Sequence, residues 1–125
     1  MNFETAKATG PKKLAPNTSL VRMLNGAYAI VYYATRILTF FPDGTFSVNS
    51  GEWMTMSTKE RINRFAPKGF CVNQKKGEWF YTTSDDTGNI TSQGVFRDKM
   101  MFAEDPVRSL WVEEANGLQF RKLEA

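Results

Sequence analysis

The chain lacks the side chains on which much enzyme and metal chemistry depends. It has no histidine, and Cys71 is its single cysteine. The usual zinc ligand sets therefore cannot be assembled, and neither can a Ser-His-Asp or Cys-His nucleophile. Catalysis would have to rely on carboxylates, lysine or tyrosine. We expect a protein that is not an enzyme and that holds no metal and no cofactor.

One triplet imitates a catalytic motif. Asp86, Thr87 and Gly88 spell the active-site triplet of aspartic proteases, whose chemistry needs two carboxylates that share a proton. In those enzymes apolar residues precede the triplet and bury it, whereas here Ser84 and Asp85 precede it. This polar run is typical of a solvated loop. We interpret the triplet as a chance match.

Cations beside aromatic rings offer a different chemistry. Lys75 and Lys76 occupy the predicted tip of a hairpin, and Trp79 and Tyr81 follow in the next strand. Proteins that hold nucleic acid place cations along phosphates and stack rings on bases. The alternative is that the lysines keep a hairpin soluble while the two rings belong to the core.

A short helix is predicted at about residues 58–66. Ser57 and Glu60 have the spacing of a capping box, and Pro67 would end the helix. Arg61 and Arg64 lie off its apolar face and would add to a basic surface, although Glu60 has the spacing to pair with Arg64.

The elements that would position these residues are mostly strands. The turn at residues 42–44 predicts a hairpin in which Phe40 faces Phe46 and Leu38 faces Val48. Further aromatic and β-branched runs alternate with tight turns. We predict a mainly β fold, either a single antiparallel sheet or a small barrel of six to seven strands, with the one short helix.

Charge and composition divide the chain unevenly. Residues 1–76 hold eleven Lys or Arg and four Asp or Glu, whereas residues 77–125 hold five and nine, so that the net charge is +3. Residues 1–18 contain lysines, Gly10, Pro11 and Pro16 and are predicted to form a flexible basic arm. Residues 19–125 would form a single β-rich domain. Without a signal peptide or membrane span, we expect a cytoplasmic protein with no membrane partner.

A motif in the middle of the chain resembles one found in small proteins of bacterial viruses. The match covers residues 35–65 and rests on Thr39, Asp43-Gly44, Asn49-Ser50-Gly51, Trp53, Thr55, Thr58-Lys59 and Arg61-Ile62-Asn63. Glu52 stands where the motif has a second glycine. The resemblance implies a viral gene expressed in a bacterial cytoplasm, and it supplies no activity. Trp53, between a predicted bend and the helix, is predicted to be a core residue.

These observations favour a non-catalytic binding protein, and three kinds of partner remain open. The first hypothesis is nucleic acid, bound by a basic surface flanked by aromatic rings. The alternative is a protein–protein modulator that binds a host enzyme or defence component through an aromatic patch. A small ligand held inside a barrel is the third. The residues predicted to contact nucleic acid are Arg61, Arg64, Lys75, Lys76, Trp79 and Tyr81.

Overall fold

The structure, a computed structural model, describes residues 1–104, 109–114 and 117–122, and it describes side chains within residues 1–104. The helices are α1 (Phe3–Thr9) and α2 (Met56–Phe65). The strands are β1 (Lys12–Ala15), β2 (Thr18–Arg22), β3 (Tyr28–Tyr32), β4 (Thr35–Phe40), β5 (Thr45–Val48), β6 (Phe70–Lys75), β7 (Glu78–Ser84), β8 (Ile90–Val95), β9 (Met100–Ala103), β10 (Ser109–Glu114) and β11 (Gly117–Lys122).

The larger sheet has six antiparallel strands in the order β1-β2-β3-β4-β5-β9. Its central hairpin has the predicted register, since Phe40 pairs with Phe46 and Leu38 with Val48. All four side chains are fully buried. The alternation of apolar and polar residues fixed this register, because a slip of one residue would turn the apolar side chains towards solvent.

The smaller sheet has three antiparallel strands in the order β6-β7-β8, and α2 packs against β6. The Asn63 side chain of α2 donates to the Val72 carbonyl at 2.8 Å and accepts from the Val72 N–H at 2.7 Å. One amide side chain thus pairs with β6 as a neighbouring strand would. The helix is thereby joined to the edge of the sheet.

Aromatic contacts join the two sheets. The Phe70 ring of β6 lies 5.3 Å from Phe46 of β5 and 4.7 Å from Phe102 of β9, between ring centroids. Trp79 of β7 belongs to the same buried cluster and is 1% exposed. Burial of such rings is the main stabilising contribution to a core of this kind.

The prediction of a mainly β, antiparallel fold is confirmed. The strands are more numerous than predicted and form two open sheets, with β10 and β11 paired as a separate hairpin. Helix α2 begins two residues earlier than predicted because Thr55, not Ser57, is the N-cap, and its side chain accepts from the Thr58 N–H. The β6–β7 turn consists of Lys76 and Gly77, since Lys75 belongs to β6 and pairs with Glu78.

The predicted flexible arm at residues 1–18 is wrong. These residues form α1 and β1, and Phe3 and Ala6 are buried in the core. Asn2 and Thr5 form a capping box at the start of α1, and the Phe3 ring meets the Tyr28 ring edge-on at 5.7 Å. The apolar pair at positions 3 and 6 gives this helix of about two turns a face to bury, and this outweighs the Pro and Gly residues that follow.

Candidate functional site

A cleft of about 470 Å³ opens between the β3–β4 turn and the loop that leads from β5 to α2. Its lining combines three aromatic rings with small apolar and hydroxyl side chains: Tyr32, Tyr33, Ala34, Thr35, Ile37, Ser50, Trp53, Thr55, Ser57 and Thr58. This volume lies within the range of clefts that bind small molecules or parts of larger partners.

Large apolar side chains are exposed around this cleft. Tyr33 is 68% exposed, Trp53 67%, Met54 46% and Met56 79%. Both methionines flank Thr55, which lines the cleft. We call these four residues the rim. Exposed apolar side chains gathered in one place mark interaction surfaces, and methionine adapts its shape to varied partners.

Tyr33 is held in a strained backbone conformation. Its φ of +54° lies in the left-handed region that bulky residues rarely adopt. The Tyr33 N–H donates to the Asn17 carbonyl at 2.8 Å, and the Asn17 amide donates to Tyr33 Oη at 3.2 Å. The Tyr32 ring lies 4.8 Å away in an edge contact. Backbone strain around an exposed ring is typical of a functional site.

The loop that carries Trp53 is held by Asp98, which lies between β8 and β9. The Asp98 carboxylate accepts from the Ser50 N–H and hydroxyl at 2.8 Å each, and from the Glu52 N–H at 3.3 Å. Gly51 has a φ of +63°, and a Cβ there would lie 2.6 Å from Thr35 Oγ1. The loop therefore buries Ser50 and turns Trp53 outwards. The prediction that Trp53 is a core residue is wrong.

Of the two arginines of α2, Arg61 is engaged by contacts within the chain and Arg64 is exposed. Arg61 forms an ion pair with Glu60, donates from Nε to Thr18 Oγ1 at 3.1 Å, and lies over the Tyr32 ring at 5.4 Å. It therefore supports an aromatic wall of the cleft. Arg64 lies over the ring of its neighbour Phe65 at 5.3 Å. Of the helix cations, Lys59 is the one that reaches β6, with Nζ 3.5 Å from Gln74 Oε1.

Lys75 and Lys76 are exposed at the β6–β7 turn, as predicted, whereas Trp79 is buried and Tyr81 is half-buried. Trp79 is buried against Phe96, with ring centroids 5.8 Å apart. The Tyr81 ring contacts Phe102 at 4.9 Å. The predicted stacking role is wrong for Trp79, which is inaccessible to a base, and Tyr81 turns its ring inwards.

The protease-like triplet lies in the loop between β7 and β8. Asp85, before the triplet, accepts from the Thr87 hydroxyl at 2.6 Å and from the Thr87 and Asn89 N–H groups at 3.0 Å each. These bonds, that from the Thr87 hydroxyl foremost, hold the pKa of Asp85 below its ordinary 3.8. Asp86 itself is exposed. The geometry is that of a turn closed by an aspartate side chain.

Within the part of the chain that the structure describes, no three His, Cys, Asp or Glu side chains converge on a possible metal position. No helix among the described residues is long and apolar enough to cross a membrane.

Sequence reasoning identified none of the four rim residues as functional: it assigned Trp53 to the core and did not single out Tyr33, Met54 and Met56. The available signal was the run Trp53-Met54-Thr55-Met56, which has neither helical nor strand periodicity and sits directly before a helix cap. An apolar run without a periodic face has no single side to bury.

Comparison with known proteins gives one match. The model of the family described as Kyanoviridae Gp96 protein matches residues 4–103, which is most of the chain and includes both the cleft and the smaller sheet. No curated protein and no solved structure matches. The chain therefore belongs to the Kyanoviridae Gp96 family of phage proteins.

Proposed function

We propose that this phage protein is a non-catalytic binding protein that modulates a host protein by docking onto it through the rim of the cleft. The observation that carries the proposal is the exposure of Tyr33, Trp53, Met54 and Met56 around one cleft. Trp and Tyr are the side chains that most often dominate the energy of protein interfaces, and methionine is enriched there.

Contacts within the chain keep two side chains of the rim exposed. Asp98 and Gly51 hold the Trp53 loop outwards, and Asn17 holds Tyr33 in a strained conformation. A preorganised ring loses little conformational freedom on binding, which lowers the free-energy cost of association. The hydroxyl groups of Thr35 and Ser57, which line the cleft, supply hydrogen bonds to a partner's polar groups.

The other two hypotheses have less support. The predicted nucleic-acid site keeps the cationic turn at Lys75 and Lys76. Its Trp79 is buried in the core, and its Arg61 is paired with Glu60 of the same chain. A ligand inside a barrel has less support, because the two sheets are open in the part of the chain that the structure describes. A small molecule would fit the cleft, but it would leave Met54 and Met56 on the outer rim uncovered.

The test is capture of a host protein by rim variants. The tagged protein is incubated with lysate of the host bacterium, and any captured protein is then purified and titrated by calorimetry. Trp53→Ala and Tyr33→Ala should each weaken its affinity at least about tenfold, as truncation of a hot-spot ring does. Leu24→Ala is the matched control, since Leu24 is fully exposed in the β2–β3 turn, away from the cleft.

Thermal melting separates binding from folding. Trp53→Ala should melt like the wild type because its ring is exposed. A partner that binds wild type, Trp53→Ala and Tyr33→Ala with equal affinity would contradict the proposal.

A further inference from the structure

The outer face of the smaller sheet has its own arrangement of groups, separate from the cleft. Side chains alternate between the faces of a strand, so Phe80 faces away from the core between the inward Trp79 and Tyr81. In the register of the sheet, Asn73 pairs with Phe80, and Thr82 pairs with Gln93. Paired residues share a face. An aromatic ring and two amide side chains therefore lie on one surface.

This surface contains a shallow groove. It has a volume of about 430 Å³ and is lined by Asn73, Lys75, Phe80, Tyr81, Thr82, Gln93 and Gly94. Phe80 and Thr82 are half-buried, whereas Asn73, Lys75 and Gln93 are exposed. The groove thus offers one ring face, amide donors and acceptors, and a cation at its end.

The turn at the end of the groove has a lysine at a position where the backbone conformation favours other residue types. Lys76 and Gly77 have φ values of +52° and +80°, the signature of a two-residue type I′ turn. The first position of that turn favours Asn, Asp or Gly, whose backbones tolerate the left-handed region. Lysine is there at a conformational cost. Beside it Lys75 adds a second positive charge, against the single carboxylate of Glu78 across the ladder.

We propose that this face binds single-stranded nucleic acid, with a base stacked on Phe80 and the backbone phosphates along Lys75 and Lys76. Asn73 and Gln93 would supply hydrogen bonds to the base edge. Single strands fit this geometry because their bases are free to leave the stack, whereas a duplex hides its ring faces. The positive turn complements the phosphates. The site restores the aromatic contact that sequence reasoning assigned to Trp79 and Tyr81, one residue away on the opposite face.

This inference does not rest on the docking function proposed for the cleft, and the two sites can be tested apart. The probe is a fluorescently labelled ten-nucleotide oligothymidylate, titrated by anisotropy at two salt concentrations, with a duplex of equal length beside it. The wild type should bind the single strand more tightly than the duplex, and the affinity should fall with salt because each neutralised phosphate releases a counterion.

Lys76→Asn is the decisive variant. It should preserve or raise the melting temperature, since Asn suits the turn, while it weakens binding several-fold and flattens the salt slope by about 0.7. Lys68→Asn is the matched control, because it removes the same charge from an exposed position in the turn before β6. Phe80→Leu should weaken binding about five- to a hundredfold, as loss of one stacked base does.

Three results would overturn the proposal: no binding of the single strand at low salt, equal binding of the duplex, or equal weakening by Lys76→Asn and Lys68→Asn. The last would mean attraction by net charge without a site. Trp53→Ala should leave oligonucleotide binding unchanged, because Trp53 lies at the cleft and not in the groove. Loss of oligonucleotide binding and loss of protein binding at the cleft can therefore be told apart.

Discussion

The carboxylate of Asp98 receives both the backbone N–H and the hydroxyl of Ser50, each at 2.8 Å, across 48 residues of chain. Ser50 is fully buried, so its two donors depend on this carboxylate. Trp53 follows Ser50 by three residues. The side chain of Asp98, which lies between β8 and β9, therefore determines how Trp53 is exposed at the rim of the cleft.

Asp98→Ala should therefore lower both stability and partner binding. Hydrogen bonds to a charged group contribute about 1.5–3 kcal/mol, and buried donors left without a partner add to the loss, so we expect a destabilisation of about 2–3 kcal/mol. Denaturant unfolding measures it. Asp86→Ala, at an exposed aspartate, is the control and should stay within about 0.5 kcal/mol of the wild type. Equal midpoints for the two variants would remove the role assigned to Asp98.

Asn63→Ala should be costly although the Asn63 side chain is largely exposed. It removes both hydrogen bonds to the backbone of Val72, a residue only 2% exposed, and leaves an N–H and a carbonyl unpaired. We expect a loss of about 2–4 kcal/mol in the free energy of unfolding. Asn73→Ala, which removes one long bond of 3.4 Å to Thr82, is the matched control and should change little. Similar losses for both would show that α2 is held by its apolar contacts alone.

Deletion of residues 1–9 should destabilise the protein. Phe3 and Ala6 leave the core with α1, and removal of a buried phenylalanine costs about 3 kcal/mol or more. In a domain of this size the melting temperature should fall by roughly 10 °C. Lys7→Ala, on the exposed side of α1, should melt like the wild type. An unchanged transition after deletion would restore the dispensable arm expected from the sequence.

The loop at Asp85 should respond to acid. Because the fold holds the pKa of this carboxyl below 3.8, its hydrogen bonds are fully present above that pH and are lost as the pH falls through the lowered value. An NMR titration of the Thr87 amide should give a midpoint below 3.8. Thr87→Val removes the hydroxyl, the largest cause of the shift, and should move the midpoint upwards. A midpoint that is the same in both proteins would contradict the assigned cause.

The parts of the fold that sequence reasoning predicted are those governed by local rules. The register of Phe40 with Phe46 follows from alternation and a recognisable turn. Helix α2 follows from the apolar position Ile62, which is fully buried, and from Pro67 after it, although its N-cap is Thr55 and not Ser57. The error at residues 1–18 has the same origin. Asn2 and Thr5 already have the spacing of a cap, but the lysines, Gly10 and Pro11 suggested disorder.

The candidate sites were harder to predict because they depend on tertiary contacts. Strand β7 has aromatic residues on both faces, so alternation separates Phe80 from Trp79 without indicating which of them is inside. The inward face was decided by Phe96 and Phe102, which are distant in sequence. Trp53 was assigned to the core by residue type. Its exposure results from a bond between Ser50 and Asp98 that no local pattern indicates.

The pairing of Asn63 with Val72 has a consequence for aggregation. An edge strand with free backbone groups is a template on which further chains can add. While α2 is docked, a side chain occupies the template at Val72 of β6, and growth of the smaller sheet on that side is blocked. A fluctuation that releases α2 would uncover the N–H and carbonyl of Val72 together. Docked α2 therefore protects this edge of the smaller sheet from pairing with another chain. Resistance to fibril formation in this protein should follow the local stability of α2 more closely than the global stability of the fold.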